Sequence, residues 1–177
     1  MIETAERLNN QAIILAADGS FNEALACFAR AITIEQNNSL LWYNMALTYR
    51  DAGKLKEAEE SLKKAHAISP YDPDILQELS LILYNQGKLD EALVYCQEGL
   101  METPEDTHLW NTRGVILFNK GLYEDACDSF ENAVIYNPYF YDALYNLRDT
   151  YQELNNTSGV SQCNIRLNEI KKSGDTL

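Results

Sequence analysis

The chain has 177 residues, with 27 acidic and 14 basic side chains and a formal net charge of −13. That balance excludes nucleic acid and anionic membrane surfaces as expected partners, because phosphate binding needs a basic footprint. Apolar residues make up 46%, too many for a disordered chain, and no run approaches the roughly 20 apolar residues of a membrane-spanning helix.

The acidity reads as a solvated surface, or as a field that steers in neutral or basic partners. No basic N-terminal stretch leads into an apolar run, so no signal peptide is expected. Cys27, Cys96, Cys127 and Cys163 show no CxxC spacing and fall inside helical patterns. They are expected to be buried free thiols in a reducing compartment, which predicts a cytoplasmic protein.

In chain order, apolar spacing predicts five pairs of helices. The first pair, near 4–18 and 22–35, is joined at Gly19. The second, near 39–52 and 56–68, follows an N-cap at Asn38. Leu41, Trp42, Met45, Ala46 and Tyr49 recur at helical spacing, and Gly53 stops the first helix. Ala58, Leu62, Ala65 and Ile68 form the stripe of the second helix, which Pro70 ends. The third pair, near 73–86 and 90–102, starts with Asp72 as cap and Pro73 as first residue, where a missing N–H costs nothing. The fourth, near 107–120 and 124–136, starts at Asp106 and turns at Gly121. The fifth, near 141–154 and 158–172, lacks the polar cap at Phe140 and has Asn155 for the turn glycine, a residue that tolerates the same conformation.

These pairs share a period of 34 residues. Gly19, Gly53, Gly87 and Gly121 keep it, as do Ala24, Ala58, Ala92 and Ala126, and Ala31, Ala65, Gly99 and Ala133. Such a period means one small unit stacked on copies of itself. Ala12, Ala46, Ser80 and Gly114 form a matching row on the first helices. Small side chains there let paired helices approach closely.

The run Trp42, Met45-Ala46, Tyr49, Ala58, Leu62, Ala65, Pro70 resembles the tetratricopeptide repeat (TPR), and Trp110, Gly114, Ala126, Phe130, Ala133, Pro138 repeats it. The resemblance implies an all-α, right-handed α-solenoid of stacked helix-turn-helix hairpins. The chain would be one TPR domain over 1–177, with repeats 5–38, 39–72, 73–106 and 107–140 and a degenerate, capping fifth repeat 141–174. In that last unit Arg148 takes the small-residue position, while Val160 and Leu167 replace the alanines.

TPR arrays line a concave groove with their first helices and bind peptide segments there. Carried over by position, one groove row is Asn10, Asn44, Glu78, Thr112 and Asn146, and its neighbour is Asn9, Tyr43, Gln77, Asn111 and Tyr145. A third row is Ile13, Leu47, Leu81, Val115 and Asp149; beyond it lie Arg50, Tyr84, Asn85, Phe118 and Asn119. His108 falls at the rim. Amides pair with either polar group of a peptide backbone, and tyrosines add apolar area with a polar tip. The asparagine row is similar to the ladder of some TPR grooves, although Glu78 and Thr112 interrupt it; a merely solvated face is the other reading. The carboxylate clamp of chaperone-binding TPR domains falls on Asn9, Ile13, Asn44, Asp74 and Glu78, where only Asn44 matches.

A protein or peptide partner, neutral to basic, is therefore expected, with contacts at Tyr43, Asn44, Tyr145 and Asn146. Self-association is the alternative, suggested by apolar Ile13 and Ile14. No catalytic, cofactor or metal site is expected. His66, read as an exposed helix residue, and His108 have no ligand-like neighbours, and the glycines are turn glycines rather than a phosphate loop.

Overall fold

The computed structural model describes residues 3–174. Among these residues there are ten helices and no strand: α1 Ala5–Ala17, α2 Phe21–Ile34, α3 Ser39–Asp51, α4 Leu55–Ile68, α5 Pro73–Asn85, α6 Leu89–Glu102, α7 Thr107–Asn119, α8 Tyr123–Tyr136, α9 Tyr141–Glu153 and α10 Thr157–Gly174. The chain groups into two compact units, Met1–Lys88 and Leu89–Leu177. No helix among the described residues is long and apolar enough to cross a membrane.

Helix starts follow the expected caps. Asp106 Oδ1 accepts from the backbone N–H groups of His108 and Leu109, both at 2.9 Å. Asp72 Oδ1 serves Asp74 and Ile75 in the same way, and Asn38 Oδ1 serves Leu40. Each such cap satisfies donors that the first helical turn leaves open. Phe140 provides no side-chain cap for α9.

Within each hairpin the first helix ends in the same turn. The Gly53 N–H donates to Arg50 O and the Lys54 N–H to Tyr49 O, at 2.9 and 2.8 Å. This pair of bonds closes the helix when the residue past its end is left-handed. Gly53 has φ of 74°, and Asn155 takes the same role with φ of 56° and the same two bonds, Asn155 N–H to Gln152 O and Asn156 N–H to Tyr151 O. A Cβ added at Gly53 meets nothing within 4 Å, so any cost of substitution there is backbone strain alone. Gly53→Ala is expected to lose about 1–2 kcal/mol, and Asn155→Gly to gain less than about 1 kcal/mol. Urea denaturation of the two variants checks both signs.

The alanine rows lie at the packed seams. Ala12, Ala24, Ala31, Ala58, Ala65, Ala92, Ala126 and Ala133 are wholly buried, as is Ser80. In unit 1 a core cluster gathers around Phe28, with Leu8, Ile32 and Leu41. In unit 2 another gathers around Phe130, with Leu117, Val134, Leu144, Leu147 and Leu167. Gly114 makes room for it: a Cβ there would stand 2.5 Å from the Phe130 ring. In the fifth hairpin the close approach moves by one residue. Gly159, not Val160, lies against the Tyr151 ring, 2.5 Å from where a Cβ would be. Arg148, at the position small in the other repeats, swings out and lays its guanidinium 4.0 Å over the Tyr145 ring.

Each unit has one tryptophan that ties its helix to the turn before it. Trp42 Nε1–H donates to Gln36 O at 3.3 Å, and Trp110 Nε1–H to Pro104 O at 2.7 Å. Unit 1 also buries a charge. Glu59, 7% exposed, accepts from Lys63 Nζ at 2.6 Å and Lys88 Nζ at 2.7 Å. Burial works to raise its pKa, but hydrogen bonds from Lys63, Lys88 and Gln86 outweigh it and hold the carboxyl down at about 2.

Candidate functional site

The predicted groove residues lie on first helices, and the two units are taken in turn. In unit 1, Asn9 on α1 is buried and Asn44 on α3 is half-buried; Asn44 Nδ2 donates to Asn9 Oδ1 at 2.9 Å. In unit 2 the same bond recurs: Asn146 Nδ2 on α9 donates to Asn111 Oδ1 on α7 at 3.0 Å. The amides therefore do not climb along one row. They pair across rows, at a step of 35 residues, which interlaces the two predicted ladders. Tyr43 and Glu78 stand at the same step. The Tyr43 phenol is pushed up to about 12 by burial and then by the charges of Glu78 and Asp74.

Two acids of the predicted groove rows are already paired. Glu78 is bridged by Arg50 Nη1 at 2.8 Å, and Arg50 also holds Asp51. Asp149 is bridged by Arg148 Nη2 at 2.6 Å. Asp74 and Asp142 are exposed, and neither side chain has an ion-pair partner among the described residues. Asn10 is exposed, and Gln77 and Leu81 are half-buried. Thr112 is buried. His108 is exposed and sets its ring edge-on to Phe140, with centroids 4.9 Å apart. Tyr145 is exposed and stacks on Tyr141 at 6.4 Å. His66 is half-buried rather than exposed.

Unit 2 holds a cavity of about 110 Å³ lined by Val115, Phe118, Asn119, Phe130, Asn146 and Asp149. All but one of these side chains belong to the predicted rows. Phe130 was missed because it comes from a second helix. Its signal was the pairing of an aromatic ring, found in that row only at Phe28 and Phe130, with Gly114, the smallest residue in the facing row.

Burial makes Cys127 and Cys163 poor nucleophiles. All four cysteines are buried, and none is in a disulfide. The Cys127 thiol is pushed up to about 12 by burial and by Glu131, which also accepts from Tyr151 Oη at 2.6 Å. Burial raises the Cys163 thiol as well.

Family comparison decides what this repeated hairpin is. Four models, each described as tetratricopeptide repeat, match residues 4–36, 27–60, 49–116 and 107–139, an almost unbroken cover of the first four hairpins. The chain belongs to the tetratricopeptide repeat family. Solved structures share the TPR fold. A MamA double mutant from strain RS-1 aligns with a TM-score of 0.88 at 17% identity, covering 100% of this chain and 99% of that one. MamA 41-end from Desulfovibrio magneticus RS-1 aligns at 0.86 and 17%, covering 99% of each chain. YrrB, described as a TPR protein with an unusual peptide-binding site, aligns at 0.74 and 23%, covering 93% of this chain and 85% of its own. No curated protein sequence matches the chain. The fold class is thus the all-α TPR solenoid that the sequence predicts. The fifth hairpin, outside the family matches, takes the same turn and helix pair.

Proposed function

We propose that this TPR chain is a non-catalytic docking module that holds an extended segment of another protein against its first helices. The observation that carries this reading is the recurrent asparagine pair. Each pair spends one N–H of Asn44 or Asn146 on its partner, and among the described residues no donor reaches the carbonyl of the same amide. A half-buried amide fixed in this way offers an acceptor to a passing backbone N–H at little cost in side-chain entropy. The neighbouring tyrosines, Tyr43 and Tyr145, add rigid apolar area with a polar tip. YrrB supports the reading as a TPR protein in which a peptide-binding site is described. The unpaired acids Asp74 and Asp142 favour a neutral to basic segment, and the buried thiols suit a reducing compartment such as the cytoplasm.

The test is the double variant Tyr43→Ala, Asn44→Ala against the partner recovered from native cells by pull-down and mass spectrometry. Affinity should fall about tenfold or more, because a tyrosine anchor and its hydrogen-bonding neighbour are both lost, while the helical circular dichroism stays unchanged. Equal affinity would refute the groove assignment.

A second reading rests on α1, where Ile13 and Ile14 are 44% and 63% exposed. If they mark a self-association surface, light scattering will show a mass that rises with concentration. A monomer mass at every concentration removes that reading.

A further inference from the structure

We propose that the unit 2 cavity is a socket for one leucine- or isoleucine-sized side chain, carried by an extended segment with basic residues on either side. The inference rests on the peptide-docking reading and says what the segment must look like.

The walls are fixed before any guest arrives. Phe130 is 1% exposed and lies over Gly114. Phe118 is half-buried and held edge-on against Tyr123, with ring centroids 5.1 Å apart. Val115 completes an apolar floor, and Asn119, Asn146 and Asp149 form the polar rim. The volume of about 110 Å³ is roughly that of three to four waters in the liquid, which suits a single branched aliphatic side chain. A charged group on that floor would lose its hydration without a partner, because Asp149 is already held by Arg148.

The arrangement is not simply repeated along the chain. Three repeats earlier, the positions of Phe118, Asn119 and Asp149 are Ala16, Ala17 and Leu47, although Phe28 and the asparagine pair are kept. An aromatic wall and a polar rim therefore set the place between α7 and α9 apart from the place between α1 and α3.

Charge selects the flanks. Residues 89–177 carry 15 acidic and 6 basic side chains, and Asp142, on the same helix as the rim, is exposed. A segment with lysines on each side of its aliphatic residue meets an attractive field, and an acidic one is repelled. At the rim the Asn146 carbonyl accepts the backbone N–H beside the seated residue.

The test uses the full chain and a capped probe peptide, Lys-Lys-Ser-X-Ser-Lys-Lys, with X as leucine, alanine, phenylalanine or aspartate. Binding is read by NMR from the Val115 methyls and from the Asn44 and Asn146 side-chain amides. The leucine peptide should give saturable Val115 shifts, the alanine peptide should bind about tenfold more weakly, and the aspartate peptide should leave Val115 unmoved. Val115→Phe, which fills the cavity from a half-exposed position, should bring the leucine and alanine affinities within about twofold of each other. Phe118→Ala, which widens it, should move the preference from leucine to phenylalanine and serves if the first variant does not fold. Equal affinity for leucine and alanine peptides with shifts at the amides would overturn the socket and leave the docking reading standing. No shift at either amide with any peptide would overturn both.

Discussion

Phe130→Ala is expected to cost about 3–5 kcal/mol, the largest loss of any single substitution considered for this chain. The ring is 1% exposed and sits at the centre of the unit 2 cluster, with Leu117, Leu144 and Leu147 around it. Its removal leaves a cavity beneath Gly114, which has no side chain of its own to fill it. The same geometry predicts a coupling. Gly114→Ala alone should destabilise by roughly 1–3 kcal/mol, because the new methyl meets the ring at 2.5 Å and the ring is itself buried. In the double variant that clash is absent, so the two losses should add to less than their sum. Urea denaturation of the four proteins measures the cycle. Strict additivity would mean that the ring does not rest on the glycine.

Glu59→Gln should lower the stability of unit 1 at pH 7 by roughly 1–3 kcal/mol, since the amide loses two charge-assisted bonds from half-exposed lysines. The deficit has a pH signature. The folded carboxyl titrates near 2, below its ordinary 4.5. The unfolded chain therefore binds the proton first, and the stabilisation is present in full above about pH 4.5. It fades as pH falls from there through about 2. Wild type and variant should differ most at neutral pH and converge in acid. A difference that is constant from pH 7 to pH 3 would show that the carboxylate charge contributes nothing beyond packing.

Much of this architecture was legible because the period carries it. Each hairpin's turn residue, cap and small-residue seam sits at a fixed offset, and the helix ends fall within two residues of their expected places. Even Asn155 could be read as a substitute for glycine, since its conformation is dictated by the turn rather than by distant contacts. What the period does not contain is the stagger between neighbouring first helices. Asn9 meets Asn44 rather than lining up with it because that stagger is one residue. The reach of long side chains is equally hidden. Arg50 and Arg148 double back onto Glu78 and Asp149 and remove two charges that the groove was expected to display. Gly159 was overlooked for a related reason: the fifth hairpin shifts its close contact by one position, and only the Tyr151 ring shows where.

The two indoles, Trp42 in the first unit and Trp110 in the second, are the chain's only tryptophans. Each is anchored to a carbonyl of the preceding loop. Native fluorescence therefore comes as two separable lamps, one for each half of the molecule. With Trp42→Phe or Trp110→Phe in hand, melting of either half can be followed without a dye, and a guest that tightens one half alone will betray which one it has chosen.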